Sequence, residues 1–331
     1  SVDVDTTSYS VFGQGILEVG DNGTLTAGLR YTDEEKDLDA ANLVFGLTHQ
    51  DTQSFDNLSY TLKYDHQFTD DIMAYASYTT GFKSGGWSPD CFGGTACFLP
   101  VEEETLDSFE IGARTDLFNN MLRFNTSYFF NKYEGLQIGA TVPGLGFTRF
   151  NVDETEIQGL EVEWTLNATD QFSLFGNLGI LDAEYTSVTG DQARGLTNNG
   201  ASCPTIDPSV DAEAIACALM LDLKNAPEMK GMVGAEYLLQ ALGGETSLRG
   251  DVQYEDSSWS LVANSSAHAL TDPSTLLNLR AGYTPDDGIW NAALWIQNLT
   301  DEEYWRSTSA GSFTAYASPP LTWGIDVGVS F

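Results

Sequence analysis

An all-β fold, an antiparallel transmembrane β-barrel, is the fold class that the sequence predicts, and three observations predict it. Apolar and polar residues alternate with a period of two through one segment after another. Short polar turns and long acid-rich connections separate these segments in turn, which is the asymmetry of an outer-membrane barrel. The chain also ends in an unbroken alternating segment, residues 321–331, whose last residue is Phe331. No run approaches the roughly 18 apolar residues of a transmembrane helix.

The alternation can be followed along the chain in order. Segments with an aliphatic or aromatic residue at nearly every second position cover residues 25–31, 72–78, 122–130, 160–166, 277–283, 290–296 and 321–331. Segment 72–78 is the least regular, because Tyr75 and Tyr78 fall on opposite faces. A charge on the lipid face would cost about 2–4 kcal/mol at mid-bilayer. We therefore predict that the charges of the polar face lie in the lumen and pair across strands: Arg30, Lys63, Arg114, Arg123, Arg249, Arg280, Glu110, Glu161, Glu163 and Asp251.

Short turns between these segments give the strand count. They are predicted at residues 20–23, 69–71, 119–120, 169–171, 242–245 and 285–288, and the count is thirteen strands. If the short turns and the carboxyl terminus lie in the periplasm, an odd number of strands places the start of the first strand on the other side of the membrane, outside the cell. A bacterial single-chain barrel has an even number of strands. We therefore expect residues 1–331 to be the C-terminal portion of a larger barrel, with a miscounted strand as the alternative.

The charge excludes one class of function and describes the loops. There are 48 acidic and 14 basic residues, a net charge of −34, so a nucleic-acid backbone would be repelled. The mean hydropathy of −0.19 is compatible with a barrel, because half of each strand faces a polar lumen. Acidic clusters lie between the strand segments. They indicate solvated loops or, alternatively, a vestibule that collects cations.

The four cysteines form two local pairs, Cys91 with Cys97 and Cys203 with Cys217. This spacing predicts two loop disulfides in an oxidising compartment. Metal binding is the alternative, but the histidines are scattered and no metal site or cofactor is predicted. Residues 210–224 place apolar side chains at helical spacing, which predicts a short helix in the longest loop.

Several segments resemble the TonB-dependent receptors of Gram-negative outer membranes. They are residues 9–14 with 25–31, 75–86 (containing Gly-Phe-Lys-Ser-Gly-Gly), 103–112, 151–161, 225–227 and 296–304 (Ile-Gln-Asn-Leu-Thr-Asp-Glu-Glu-Tyr), before the terminal Phe331. The resemblance implies a 22-stranded barrel around an N-terminal plug domain that is pulled by TonB. Thirteen strands would be the last thirteen, with the plug, the TonB box and the first nine strands absent from this chain. The implied location is the outer membrane, with its lipid as a partner.

The function implied by the resemblance is active import of a scarce nutrient, first of all a ferric siderophore or another iron chelate. Cobalamin, haem and oligosaccharides stay open as cargo. A passive porin-like channel and a structural barrel are the alternatives. An enzyme is not predicted, because no nucleophile, histidine and acid stand at a catalytic spacing.

Ligand contacts are expected from aromatic side chains on the long loops, because rings stack on flat ligands and attract cations. The candidates are Trp87, Phe92, Phe98, Tyr133, Phe147, Tyr304, Trp305, Phe313 and Tyr316. Packing within the loops is the alternative role of each. Because a ferric siderophore is often anionic and the chain is acidic, basic loop residues are expected to matter: Lys83, Lys132, Arg149, Arg194 and Arg306. Pairing with neighbouring acids is their alternative role.

Overall fold

Strands make up most of the computed structural model, which describes residues 2–42, 46–88, 98–142, 146–265, 269–308 and 315–330. The elements, in chain order, are β1 (Val2–Val19), β2 (Gly23–Asn42), β3 (Leu47–Thr69), β4 (Ile72–Lys83), β5 (Gly86–Trp87), β6 (Pro100–Val101), β7 (Glu104–Leu117), β8 (Leu122–Val142), β9 (Gly146–Asn167), β10 (Phe172–Ser187), α1 (Gly190–Leu196), α2 (Asp211–Ala218), β11 (Met229–Ala241), β12 (Gly244–Glu255), β13 (Ser274–Pro285), β14 (Trp290–Gln297), β15 (Trp305–Thr308), β16 (Ala315–Ala317) and β17 (Thr322–Val329).

One antiparallel sheet contains thirteen of the described strands, in the order β1-β2-β3-β4-β7-β8-β9-β10-β11-β12-β13-β14-β17. Each of these strands pairs with the next one along the chain, apart from two small ribbons, β5-β6 and β15-β16, which are inserted in loops. The all-β antiparallel prediction and the count of thirteen are confirmed. All six predicted short turns join neighbouring strands of this sheet.

The two faces of the sheet differ as the alternation predicted. On β17, the side chains of Trp323, Ile325 and Val327 are exposed on the outer face, where a barrel meets lipid. The opposite face carries the predicted charges, and several are paired. Arg123 Nε lies 2.8 Å from Asp116 Oδ1, and Arg280 Nη1 lies 2.8 Å from Asp326 Oδ2 across the sheet.

Left-handed backbone closes some of the short turns. Gly20, Gly243 and Gly288 have positive φ, as expected of hairpin turns. Phe118 and Leu242 also have positive φ, of 56° and 60°, although bulky side chains disfavour this conformation.

Four strands continue far beyond the thickness of a bilayer. β2, β3, β8 and β9 have 20, 23, 21 and 22 residues, whereas a strand needs about 9–11 residues to cross. Their distal ends form the hairpins β2-β3 and β8-β9, which project on the same side of the sheet as the long connections, the side that the sequence analysis expects to be extracellular. No helix in the described ranges is long and apolar enough to cross a membrane.

The longest loop contains two helices where the sequence predicted one. α2 ends at Ala218 rather than near residue 224, because Asp222 and Lys224 pair as extended bridges with Glu184 and Trp259. α1 was not predicted. It has about two turns and begins with a capping box, in which Thr189 Oγ1 accepts from the backbone amide of Gln192 and the Gln192 side chain accepts from the backbone amide of Thr189.

Candidate functional site

The candidate site lies on the lumen side of the extended hairpin β2-β3, under the loop that joins β4 to β7. Two polar side chains of the hairpin β8-β9 hold the described parts of this loop. Gln137 Nε2 donates to the carbonyl oxygens of Ser84 and Glu102, both at 3.0 Å. Asn151 accepts from the amide of Glu102 at 2.9 Å and donates back to its carbonyl oxygen at 2.9 Å. The loop is therefore fixed at both of its ends.

A cavity of about 300 Å³ opens between this loop and the hairpin. Trp87 is its best-buried aromatic residue, with 7% of its surface exposed, and it packs with Leu38, Ala40 and Phe98. The indole Nε1 of Trp87 donates to Asp51 Oδ2 at 2.9 Å. The ring of Phe98 stacks on His49, with 5.0 Å between the ring centroids. Two aromatic side chains, each fixed by a partner, thus form one part of the cavity wall, and residues of β1, including Val2 and Val4, form another part.

Two ammonium groups and one guanidinium group line the same cavity. Lys36 Nζ lies 3.2 Å from Glu34 Oε1 and donates to the carbonyl oxygen of Gly85 at 2.8 Å. Lys83 is more exposed and lies 3.9 Å from Glu104 Oε2. Arg149 belongs to the hairpin β8-β9, whose backbone there is held by Ser88. The structure therefore brings the candidates Trp87, Phe98, Lys83 and Arg149 together around one cavity, and their role as ligand contacts stays a prediction.

The other candidate residues lie elsewhere. Tyr133 is half-buried on β8, and Phe147 packs over Gly139 on the neighbouring strand. Trp305 and Tyr316, 49% and 60% exposed, lie on the separate ribbon β15-β16, and Tyr304 precedes it. Phe92, Phe313, Cys91 and Cys97 lie outside the described residues, so the first predicted disulfide stays a prediction.

The basic loop residues outside the cavity are mostly paired with acids. Lys132 Nζ lies 3.0 Å from Glu154 Oε1 and 3.5 Å from Glu134 Oε1. Arg194 donates to Asp211 at 2.6 Å and also to Asp191, and these hydrogen bonds hold the pKa of its guanidinium above the usual value. Arg306 is exposed on β15.

Sequence reasoning missed the part of the site that comes from β2. The predicted strand segment ends at Tyr31, and the acidic residues that follow predict a loop. In the structure β2 continues through Lys36, Leu38 and Ala40 to Asn42. The available signal was the alternation itself. Beyond Tyr31 the positions that face the lumen change from polar to apolar at residues 38 and 40.

A second packed unit, which we call the cap, covers the other face of the hairpin β8-β9. It comprises α1, α2 and the segments around them, and the disulfide Cys203–Cys217 joins the residues between the helices to α2. Its core contains Leu196 and Ala214, both without exposed surface. The even-numbered residues of the hairpin pack into this core: Leu136, Ile138, Ala140, Phe150 and Val152. The second predicted disulfide is confirmed.

The hairpin β8-β9 is therefore a wall with two different faces. Its odd-numbered side chains, Gln137, Arg149 and Asn151, hold the loop or line the cavity, while its even-numbered side chains pack against the cap. The cap thus supports the cavity from behind.

Below the cavity, the lumen wall forms a wide polar concavity of about 1110 Å³. It is lined by charged side chains of both signs, including Glu110, Arg114, Arg123, Glu161, Glu163 and Lys230. Among the residues that the structure describes, no group of three or more His, Cys, Asp or Glu is placed to hold a metal ion.

Comparison with known proteins decides the family. A family model described as the β-barrel of TonB-dependent-receptor-like proteins matches residues 1–299. The chain belongs to the TonB-dependent receptor family. Members of this family are receptors of the Gram-negative outer membrane, not enzymes, so the predicted location is confirmed.

The relatives cover the chain much better than the chain covers them. A probable TonB-dependent siderophore receptor, PiuA of Acinetobacter baumannii, is 24% identical over 209 residues, which are 61% of this chain and 26% of the relative. The solved ferric yersiniabactin uptake receptor FyuA of Yersinia pestis matches all of this chain with a TM-score of 0.78 at 15% identity. The solved siderophore receptor PiuA matches 98% with a TM-score of 0.75 at 19% identity. The chain spans 46% and 43% of these two receptors.

Proposed function

We propose that this chain is the C-terminal barrel portion of a receptor that imports a ferric siderophore or another iron chelate, driven by TonB through a plug domain outside the chain. The family supports active uptake rather than passive diffusion. Two relatives, a probable siderophore receptor and a ferric yersiniabactin uptake receptor, support iron chelates as the cargo.

The observation that carries the proposal is the composition of the cavity beside Trp87. A flat ring of a chelate gains energy by stacking on the partly exposed ring of Phe98, which the buried Trp87 holds in place. The Lys83 ammonium and the Arg149 guanidinium balance the negative charge of the chelate, whereas Lys36 is already paired with Glu34. These cations matter more because the chain as a whole carries a net charge of −34, which repels an anion at long range.

The position of the cavity suits the first step of import. It lies on the lumen side of the extracellular hairpins, above the charged concavity of the lumen wall. A ligand bound in the cavity is held there until TonB opens the path through the lumen. Release then requires that TonB pulling lower the affinity of the loops and plug for the ligand, since only a difference in affinity gives direction.

The test is uptake of radioactive iron by cells that express the full-length receptor and lack their own siderophore receptors. Ferric citrate, a ferric catecholate and a ferric hydroxamate are compared, each with and without TonB. We expect saturable uptake of one chelate that disappears without TonB. Equal uptake in both strains would favour a passive channel, and TonB-dependent uptake of cobalamin or haem in place of all three chelates would contradict the cargo.

A further inference from the structure

A groove on the lipid-facing side of β11 to β14 is independent of the ligand cavity and of the lumen. Its volume is about 470 Å³, which lies within the roughly 300–1,000 Å³ of small-molecule sites. The large residues of the outer face that line it are apolar or aromatic: Phe172, Tyr237, Leu248, Leu279, Leu294 and Ile296.

Small residues at outward positions create the depth of this groove. Ala235 of β11 pairs in register with Gly250 of β12. Ala281 of β13 pairs with Leu248, which is the next outward residue of β12 toward the periplasmic turn. Because the side chains at these positions are a methyl group or a hydrogen, the groove extends to the sheet itself, where Glu236, Arg249 and Arg280 also line it. These three residues alternate with outward positions, so their side chains belong to the lumen face.

The side chains of these two arginines are occupied on the opposite face of the sheet. The guanidinium of Arg249 lies 4.3 Å from the ring centroid of Phe175, and Arg280 binds Asp326. The charged ends of these two arginines are therefore held away from the groove.

We propose that this groove binds one acyl chain of a phospholipid. It continues the apolar outer face of the barrel, where Leu248, Leu279 and Leu294 are exposed to the hydrocarbon of the bilayer. No charged side chain of the outer face lines it, so the chain of the lipid is recognised rather than its headgroup.

The lower end of the groove identifies the leaflet that supplies this lipid. Tyr237 lies there, and its hydroxyl is 3.5 Å from Oε1 of Gln171, which belongs to a periplasmic turn. A tyrosine at this level is placed at the membrane interface. The acyl chain thus enters from the periplasmic leaflet, with its headgroup near Tyr237.

The test counts lipids on the full-length receptor by native mass spectrometry. Delipidated receptor in detergent is titrated with dipalmitoyl phosphatidylethanolamine. The double variant Ala235→Leu with Ala281→Leu fills the groove from the outside. The control Val233→Leu enlarges a side chain on the same face of β11 that does not line the groove. A heat-shift gel shows which of these proteins are folded.

We expect one molecule of lipid to bind the wild-type receptor and the control, and the double variant to bind about tenfold more weakly. Equal binding by the folded double variant would overturn the proposal. A groove that serves a second copy of the receptor would instead show as dimers that the double variant loses, with lipid binding unchanged, and this result would overturn it as well.

Discussion

The indole Nε1 of Trp87 donates a hydrogen bond of 2.9 Å to Asp51 Oδ2, and this contact joins the loop after β4 to the extended strand β3. A carboxylate acceptor strengthens such a bond relative to a neutral one. Because the ring is also packed on Leu38 and Phe98, it is held in one orientation before any ligand arrives. Such preorganisation raises affinity by reducing the ordering that binding requires.

Replacing Trp87 by alanine should weaken binding of the imported chelate. We expect a loss of about 1–2 kcal/mol, roughly ten-fold in Kd, because Phe98 loses the buried neighbour that holds its ring toward the cavity. The affinity of purified full-length receptor is measured by fluorescence titration with the ferric chelate that the uptake assay identifies. Trp305→Ala is the matched control, since Trp305 is an exposed tryptophan on the separate ribbon β15-β16. An effect of Trp305→Ala that equals that of Trp87→Ala would argue against a site at the cavity.

Asn298 should be the residue that fixes the last extracellular loop. Its side chain accepts from the amide of Glu302 at 2.8 Å and donates to the carbonyl oxygens of Glu302 and Pro319, both at 3.0 Å. Asn298→Gly keeps a residue suited to the local φ of 52° but removes these bonds. We expect a local loss of about 2–3 kcal/mol, measured as faster hydrogen exchange in residues 299–308 and 315–321.

Thr300→Ala, an exposed position in the same loop, provides the comparison. If neither Asn298→Gly nor Thr300→Ala changes the hydrogen-exchange rate of the loop, Asn298 does not fix it.

The sequence predicted the sheet far better than the site. Alternation is a local signal, and each predicted turn needed only a few polar residues, so the thirteen strands could be counted one hairpin at a time. The cavity depends instead on contacts between distant segments, such as those of Gln137 with Ser84 and Glu102. Nothing in the spacing of these residues shows that they meet. The same holds for α1, whose seven residues are too few for a clear helical period.

Replacing Leu242 should stabilise the barrel. Its side chain is 92% exposed and its φ is 60°. This left-handed conformation costs any residue that has a Cβ about 1–2 kcal/mol. Leu242→Gly removes this cost, and the backbone carbonyl that accepts from the Tyr283 hydroxyl at 2.9 Å is kept. The urea concentration that unfolds the receptor in detergent should rise. Leu242→Ala removes the same apolar surface and keeps a Cβ, so it should have little effect. A rise of equal size for alanine would show that exposed apolar surface, and not backbone strain, is relieved.

The disulfide Cys203–Cys217 should stabilise the cap without holding the barrel. It closes a loop with a sequence separation of 14, for which the chain-entropy argument gives about 3 kcal/mol. The double variant Cys203→Ser with Cys217→Ser should speed hydrogen exchange in residues 197–218 and leave the transmembrane strands unchanged. The cap should nevertheless stay folded, because Leu196 and Ala214 are completely buried in its core.

Leu196→Ala tests that core directly, with an expected cost of about 2–5 kcal/mol. Because the even-numbered side chains of the hairpin β8-β9 pack into the same core, this variant should also increase exchange at Leu136 and Val152. Through the wall formed by the hairpin, it should then loosen the loop held by Gln137 and Asn151 and weaken chelate binding. If Leu196→Ala unfolds the cap while chelate affinity stays unchanged, the stability of the cap and the affinity of the cavity are not coupled through the hairpin β8-β9.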